Sequence, residues 1–247
     1  MTAVEDAHAA LRENPTWYHS IELAPGVVTP GHVDLRRVAE KVLPGDLHGK
    51  RALDVGTFDG FWAFELERRG AEVVALDVER LEDNEWPPIS RQRLARERER
   101  WELDLGRGFR LAAEALGSNA RRVVCDVYEL TPEAIGGRVD LVFAGAILLH
   151  LRDPVAALER IHGALGPGGE LRSFEPISIA LTLLYPRRPA ARFQAIETDF
   201  NWWQPNLASL RAWMRSAGFA EVRRDRYIRP PSVAQMRKVH ASLIAKP

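Results

Sequence analysis

Five short apolar runs along the chain constrain its fold more than any other feature of the sequence. They are rich in Val, Leu and Ala and apolar on both faces, which is typical of buried strands in a parallel sheet. Between them, three stretches carry apolar side chains three and four positions apart, which predicts amphipathic helices. The runs are 51–56, 72–78, 121–127, 139–146 and 169–176, and the predicted helices are 61–69, 109–116 and 154–165.

Strands that alternate with helices predict a doubly wound α/β fold, because parallel strands joined by helices require right-handed crossovers. After the fifth run we expect a helix at 207–217, a strand at 221–228 and a last strand at 240–245. The last two strands would form a hairpin that adds an antiparallel strand. The predicted architecture is therefore Rossmann-like, a mostly parallel seven-stranded sheet with an antiparallel edge strand.

The order of these elements also predicts the domain organisation. No internal repeat and no Pro- or Gly-rich linker interrupts the chain, and 247 residues with 46% hydrophobic content suffice for one core. We expect a single domain over 1–247. Residues 1–49 precede the first strand and are predicted to form a lid over a ligand site at the sheet edge. The long connections 79–110 and 177–206 are predicted to cover the side of that site where a second substrate, the acceptor, would bind.

Charge and cysteine content disfavour several classes of partner. The 34 basic and 34 acidic residues balance, so no overall field draws the protein to nucleic acid or to a membrane. We interpret the arginine-rich run at 91–100, which is interleaved with glutamates, first as a solvated helix with paired charges and second as a phosphate-binding face. Cys125 is the single cysteine, which excludes a disulfide framework and fits a reducing, cytoplasmic setting. No apolar run reaches the roughly 18 residues of a membrane span.

The segment LDVGTFDG at 53–60 marks a ligand site at the carboxyl edge of the predicted sheet. Gly56 and Gly60 allow a ligand to approach the backbone, and the amino terminus of the following helix offers N–H groups. The carboxylate of Asp54 suits a cationic amino-acid ligand. A dinucleotide is disfavoured, because Phe58 stands where the G-x-G-x-x-G pattern would bring a glycine onto the pyrophosphate.

Two further strand ends carry carboxylates that complete this site. Asp77 follows the second strand, from which it can accept hydrogen bonds from both hydroxyls of a ribose. Asp126 follows the third strand, and with the apolar Val127 it suits the edge and faces of an adenine. The alternative is that these carboxylates only cap strand-to-helix turns. The residues expected to contact a cofactor are Asp54, Gly56, Thr57, Phe58, Gly60, Asp77, Asp126, Val127 and Ala144.

Together these segments resemble the class I methyltransferases over residues 50–247. LDVGTFDG resembles their first donor-binding motif, Asp77 their ribose acid, and CDVYEL at 125–130 their adenine-side motif. LGPGGEL at 165–171 resembles the turn before their fifth strand. The resemblance implies S-adenosylmethionine as the methyl donor and S-adenosylhomocysteine as the product.

A narrower resemblance is to the bacterial group related to tRNA wobble-uridine methyl- and carboxymethyltransferases. It rests on four segments: WYHSIEL at 17–23, VVTPG at 27–31, GAILLHLRDP at 145–154 and NWWQPN at 201–206. The carboxymethyl members carry a tyrosine where this chain has Leu149, and they carry a longer amino-terminal region. Both differences imply ordinary S-adenosylmethionine as the donor and an acceptor that need not be tRNA.

Several residues near the same edge are candidates for chemistry on the acceptor. His150 follows the fourth strand and suits a general base, or it packs and hydrogen-bonds the turn at 152–153. Glu175 ends the fifth strand and either orients an acceptor or terminates the strand. His19 and Tyr18 lie in the predicted lid. Trp202, Trp203 and Asn201 are expected to line the acceptor cleft, with core packing of the two tryptophans as the alternative.

The function predicted from these features is methyl transfer to a small-molecule acceptor, at oxygen or nitrogen, by in-line displacement. Two alternatives stay open, a tRNA-modifying enzyme and a non-catalytic regulator that binds S-adenosylmethionine. The carboxylates of the 79–110 connection have no metal-ligand spacing, so no catalytic metal is predicted. The oligomeric state stays open as well.

Overall fold

The computed structural model describes residues 2–14, 16–96, 104–198, 200–231 and 238–247. Within them the strands are β1 (Glu22–Ala24), β2 (Val27–Val28), β3 (Arg51–Val55), β4 (Glu72–Asp77), β5 (Arg121–Val124), β6 (Val139–Gly145), β7 (Leu165–Pro176), β8 (Ala191–Phe193), β9 (Trp203–Pro205), β10 (Glu221–Ile228) and β11 (His240–Lys246). The helices are α1 (Ala3–Glu13), α2 (Arg36–Val42), α3 (Phe61–Glu67), α4 (Pro88–Leu94), α5 (Gly106–Leu116), α6 (Pro154–Ala164), α7 (Ile179–Leu184) and α8 (Leu207–Ser216). Single 3₁₀ turns lie at Leu81–Asp83, Val127–Glu129 and Leu148–His150.

A seven-stranded sheet in the order β10-β11-β7-β6-β3-β4-β5 organises the molecule. Its strands β7, β6, β3, β4 and β5 are parallel, and β11 runs antiparallel to both of its neighbours. The predicted fold class is confirmed. The antiparallel strand is not the edge strand, however, because β11 lies between β7 and β10. Its residues are buried almost throughout, whereas β10 carries Arg223, Arg224 and Arg226, charges that suit an edge strand.

Two apolar clusters pack on opposite faces of the sheet, because successive side chains of a strand point to opposite faces. Along β3, Ala52 belongs to the first cluster and Leu53 to the second. Along β6, Phe143 belongs to the first and Val142 to the second. The first cluster takes in α1, α3 and α5, and the second takes in α6 and α8.

The structure departs from the predicted elements mainly where a side chain, rather than periodicity, fixes the boundary. The third strand ends at Val124 instead of residue 127, because Asp126 begins a 3₁₀ turn by accepting from the N–H of Tyr128 at 2.9 Å. The 1–49 segment, which shows no strong periodicity, contains α1. Its Thr2 forms a capping box with Glu5.

The strand order places a switch point between β3 and β6, where the chain direction across the sheet reverses. The carboxyl ends of both strands therefore open the crevice in which ligands of such sheets bind. No helix among the described residues is long and apolar enough to cross a membrane.

Candidate functional site

The turn from β3 to α3 forms one wall of this crevice. Gly56 has a φ of +75°, and a Cβ there would lie 2.8 Å from Cδ1 of Ile147, which follows β6. Phe58 also has a positive φ, 48°, and its N–H donates to Oδ2 of Asp77 at 2.7 Å. The hydrogen bond to Asp77 thus helps to hold Phe58 in a positive-φ conformation that a glycine would adopt more readily. The N–H groups of Gly56 and Thr57 both donate to the carbonyl of Leu76, so they are not free for a ligand.

Asp77 ends β4 with its carboxylate at the mouth of the crevice. Oδ1 accepts from the N–H of Val78 at 2.8 Å, and Oδ2 accepts from Phe58. The side chain reaches the surface in part, yet burial of the carboxyl outweighs these hydrogen bonds and raises the pKa of Asp77 to about 6. Because a carboxylate has about four acceptor positions, both oxygens can still accept from a ligand.

Asp54 is not open to the crevice, contrary to the predicted contact with a cationic ligand. It has no exposed surface, because it lies beneath the turn beside Thr57 and the start of α3. Neither of its oxygens has a well-formed hydrogen bond within the described part of the chain. Burial is the largest cause that raises the pKa of Asp54 to about 7. Thr57 is likewise fully buried, with its hydroxyl unpartnered among described residues.

The predicted adenine side is only partly open. Asp126 uses Oδ1 to cap the 3₁₀ turn at Tyr128, as the capping alternative expects, and its side chain is partly exposed. Val127 and Ala144 are buried in the second cluster, at 6% and 0% exposure. Ala144 lies near the carboxyl end of β6 but offers no surface to a ligand, because its side chain packs in the second cluster. The crevice is bordered instead by the turn after β6, where Ala146 has a φ of 55°.

His19 pairs with Asp59, a residue that the sequence did not single out. Nδ1 of His19 lies 2.5 Å from Oδ1 of Asp59, while Oδ2 accepts from the N–H groups of Tyr18 and His19 at 3.0 and 2.7 Å. Both side chains of the pair are buried, and the His19 ring stacks on Phe61 at 5.2 Å. These contacts fasten the amino-terminal segment to the Gly56–Gly60 turn. Burial, followed by the charge of Asp59, raises the pKa of Tyr18 to about 12.

Glu175 supports the turn after β6 rather than facing an acceptor. Its Oε1 accepts from the N–H groups of Ile147 and Leu148, at 3.0 and 3.2 Å, and the residue is 1% exposed. Burial raises the pKa of Glu175 to about 8, against the opposing effect of these hydrogen bonds. Glu175 is therefore a positioning residue for the 3₁₀ turn that ends at His150, and at 1% exposure it offers almost no surface for the predicted contact with an acceptor.

His150 lies where the 79–110 and 177–206 connections meet. Its Nδ1 hydrogen-bonds the carbonyl of Phe200, not the 152–153 turn of the alternative interpretation. Trp86 lies edge-on to both His150 and Phe200, with ring centroids 6.4 and 5.3 Å apart. Burial lowers the pKa of His150, and the charge of Lys238 lowers it further.

The two tryptophans of the NWWQPN segment join these connections. Nε1 of Trp202 donates to the carbonyl of Glu85 at 2.8 Å, and the Arg152 guanidinium lies 5.7 Å from the Trp202 ring. Nε1 of Trp203 donates to the carbonyl of Arg152 at 3.1 Å. Trp202 is buried and Trp203 is partly exposed, so Trp203 offers more surface to a ligand. The backbone of Asn201 hydrogen-bonds the Thr198 hydroxyl, which accepts from the Asn201 N–H at 3.2 Å and donates to the Asn201 carbonyl at 3.4 Å.

The described arginines at the two ends of the 91–110 region bind groups within the 79–110 connection. Arg91 donates to the carbonyls of Trp86 and Asn84, and Arg110 pairs with Asp104 and Glu79. Residues 97–103, which include part of the predicted charged helix, lie outside the described residues. Within the described part, no group of three or more His, Cys, Asp or Glu could hold a metal ion.

Sequence reasoning missed Asp59, Trp86 and Phe200. The available signal for Asp59 was an acidic residue inside the glycine turn, where it lacks the strand-end position that marked the other carboxylates. Trp86 and Phe200 carried no local signal, because only the tertiary structure brings the two connections together at His150.

Comparison with known proteins agrees with this fold. The model of the methyltransferase domain matches residues 32–223, so the chain belongs to this family, and the resemblance to class I S-adenosylmethionine-dependent enzymes is confirmed. The narrower resemblance is confirmed as well. A tRNA U34 carboxymethyltransferase from Pseudomonas aeruginosa is 32% identical over 74% of this chain and 49% of the relative. One from Azotobacter vinelandii is 30% identical over 72% and 48%. The chain thus spans about half the length of these relatives.

Solved structures share the fold at low sequence identity. The amino-terminal domain of EvdMO1, crystallised with S-adenosylhomocysteine, is 20% identical and gives a TM-score of 0.61, with coverage of 100% of this chain and 97% of that one. The 1,6-didemethyltoxoflavin-N1-methyltransferase of Burkholderia thailandensis is 19% identical with a TM-score of 0.54, and covers 86% and 77%.

Proposed function

We propose that the protein transfers the methyl group of S-adenosylmethionine to an oxygen or nitrogen of a small-molecule acceptor. The observation that carries the proposal is the crevice at the switch point. There the Gly56 turn faces Ile147 with no room for a side chain, and the carboxylate of Asp77 both fixes the turn and borders the opening. S-adenosylmethionine would supply an electrophilic methyl on its sulfonium.

The residues of the crevice fit this donor. Asp77 would hold both ribose hydroxyls, because its oxygens keep free acceptor positions beside their backbone donors. Gly56, Phe58 and Gly60 would shape the turn around the donor, and Asp126 would use its second oxygen toward the adenine. The buried Asp54 and Thr57 would support the turn from below rather than touch the donor.

His150 is the residue best suited to remove a proton from the acceptor. A carbonyl only accepts hydrogen bonds, so Nδ1 must carry the proton that is shared with Phe200. In the neutral ring Nε2 then has a free lone pair. A lowered pKa keeps the ring neutral at pH 7, ready to accept a proton. Trp86, Phe200 and Trp203 would shield a planar acceptor from water beside it.

His19 has a different role in this proposal. Its bond to Asp59 and its stacking on Phe61 tie the amino-terminal segment to the donor turn. With Tyr18 it would therefore close the donor side, and its loss should weaken donor affinity more than turnover.

Calorimetric titration tests the donor. S-adenosylmethionine and S-adenosylhomocysteine should bind with micromolar affinity and NAD should not. Asp77→Ala should weaken both by about 10- to 100-fold, which corresponds to the loss of hydrogen bonds to a charged group. Asp46→Asn, on an exposed loop, is the control and should change nothing. Failure of both sulfur compounds to bind would remove the proposal.

A screen with radiolabelled donor and small aromatic and heterocyclic acceptors tests the reaction. For an acceptor so found, His150→Gln should lower kcat by about 100-fold with unchanged affinity for S-adenosylhomocysteine. His19→Gln should instead weaken the affinity for S-adenosylhomocysteine and leave kcat nearly unchanged. Donor binding without turnover on any acceptor would favour the non-catalytic regulator.

Wobble-uridine modification of tRNA is the second candidate, because relatives at 32% identity carry that name. It predicts tight tRNA binding that weakens steeply with salt. Filter binding of unmodified tRNA at low and physiological salt measures this, and the absence of binding would exclude it.

A further inference from the structure

Part of the 177–206 connection presents apolar side chains to solvent. Leu183 is 76% exposed, Ile196 69% and Leu184 67%. Three more large apolar side chains of the same connection are exposed, and we term the six together the apolar knob: Ile179, Leu183, Leu184, Tyr185, Phe193 and Ile196. Isolated exposed leucines are ordinary, but six exposed large apolar side chains within residues 179–196 indicate an interaction surface.

The knob is held in place by specific hydrogen bonds. Ser178 caps α7 by accepting from the N–H of Leu181, and α7 buries none of its residues. The fully buried Asn206 donates from Nδ2 to the carbonyls of Leu181, Tyr185 and Arg188, at 3.4, 3.0 and 2.9 Å. These bonds hold Leu183 and Leu184 in exposed positions, where burial against an apolar partner would be favourable.

The charge of the knob favours one kind of partner. Arg187 and Arg188 are exposed directly after Tyr185, and the described residues provide no ion pair for either side chain. Arg192, by contrast, pairs with Glu197 at 2.8 Å. A second copy packed knob to knob would bring two more arginines to the interface, and the knob itself contains no acidic residue to pair with them. Leucines flanked by free arginines match the acyl and headgroup layers of an anionic bilayer.

We propose that the apolar knob docks on the surface of an anionic lipid bilayer, with Leu183 and Leu184 among the acyl chains and Arg187 and Arg188 at the headgroups. The zero net charge of the chain hides this local excess of positive charge. Phe193 lies 5.5 Å from Trp203, so docking would set the acceptor wall beside the bilayer. The proposal does not depend on the identity of the acceptor or on turnover.

Vesicle flotation of the full chain tests the proposal. Large unilamellar vesicles of phosphatidylcholine with an equal amount of phosphatidylglycerol should retain the protein, and vesicles of phosphatidylcholine alone should retain at least tenfold less. Leu183→Ser/Leu184→Ser should lower partition to the anionic vesicles at least tenfold. Arg187→Gln/Arg188→Gln should lower it about 30-fold at low salt, which corresponds to two basic residues near a charged surface.

Matched controls separate these effects from general changes in surface. Val124→Ser removes an exposed apolar side chain of β5, and Arg12→Gln/Arg37→Gln removes two exposed arginines; neither should change partition. Circular dichroism melting checks folding, and Leu183→Ser alone replaces the double variant if that unfolds. No partition of the unmodified chain, or partition insensitive to the knob variants, overturns the proposal. So does a dimer, seen by sedimentation velocity without vesicle binding, that Leu183→Ser/Leu184→Ser dissociates.

Discussion

Replacement of Glu175 by glutamine tests whether the buried carboxyl that supports the turn after β6 is protonated. In the folded chain the pKa of Glu175 is raised to about 8 because the carboxyl is buried, from its ordinary 4.5. Between these two pH values the folded chain keeps a proton that the unfolded chain has released. The free energy of unfolding therefore falls as pH rises, with the full contribution present below 4.5 and lost above 8.

The size of the effect follows from the same two values. A carboxyl whose pKa moves from 4.5 to about 8 loses about 5 kcal/mol of stability across the whole range, and about 3 kcal/mol between pH 5.5 and 8. Glutamine does not titrate, and its amide oxygen can accept from Ile147 and Leu148 as Oε1 does now. As the pH rises from 5.5 to 8, the free energy of unfolding of Glu175→Gln should therefore increase by about 3 kcal/mol relative to that of the unmodified protein.

Urea unfolding at pH 5.5 and pH 8, followed by circular dichroism, measures this difference from the midpoints and slopes. Glu159→Gln, at an exposed position on α6, is the control and should show no pH-dependent gain. Glu175→Ala should destabilise at both pH values, because it leaves two buried N–H groups unpaired. If the difference in free energy of unfolding between Glu175→Gln and the unmodified protein were the same at pH 5.5 and pH 8 within about 1 kcal/mol, the inference that the buried carboxyl is protonated would be wrong.

Three further predictions concern the contacts around the crevice. Lys238→Met should raise the pKa of the His150 ring, because it removes a nearby positive charge; imidazole NMR titration measures it, and no change would contradict the contact. Asp59→Asn should raise amide exchange of His19 and its neighbours at least tenfold, since Asp59 accepts both of their N–H groups; unchanged exchange would mean that the segment is held elsewhere. Asn206→Ala should cost about 2–4 kcal/mol in urea unfolding, because it removes the cap of α8 and the bonds that hold α7; a loss below about 1 kcal/mol would contradict that role.

The parallel core of the fold follows from local pattern. β3, β4 and β6 are buried on both faces, and a strand of this kind produces an unbroken apolar run that sequence alone reveals. The place of β11 does not follow so directly. Its burial comes from pairing with β7 on one side and β10 on the other, and a hairpin pattern alone leaves open which of its strands lies at the edge.

The site divides in the same way. Gly56, Phe58 and Asp77 are neighbours because two adjacent parallel strands end together, so strand-end positions were enough to place them. Asp54 and Ala144 satisfy the same rule by position, yet both are buried. A position at the end of a strand places a residue at the carboxyl edge of the sheet. It does not show whether the side chain faces the crevice or the core.

The turn after β6 connects the two parts of the candidate site. Its first residues face the Gly56 turn through Ile147, and its last residue is His150. Between them, the carbonyl of Leu149 accepts from the N–H of Trp202 at 2.8 Å, and Glu175 holds the other side of the turn. These contacts join the turn to the Gly56 side of the crevice and to the Trp202 segment. Leu149 itself is 7% exposed, so it contributes a buried apolar side chain to this turn.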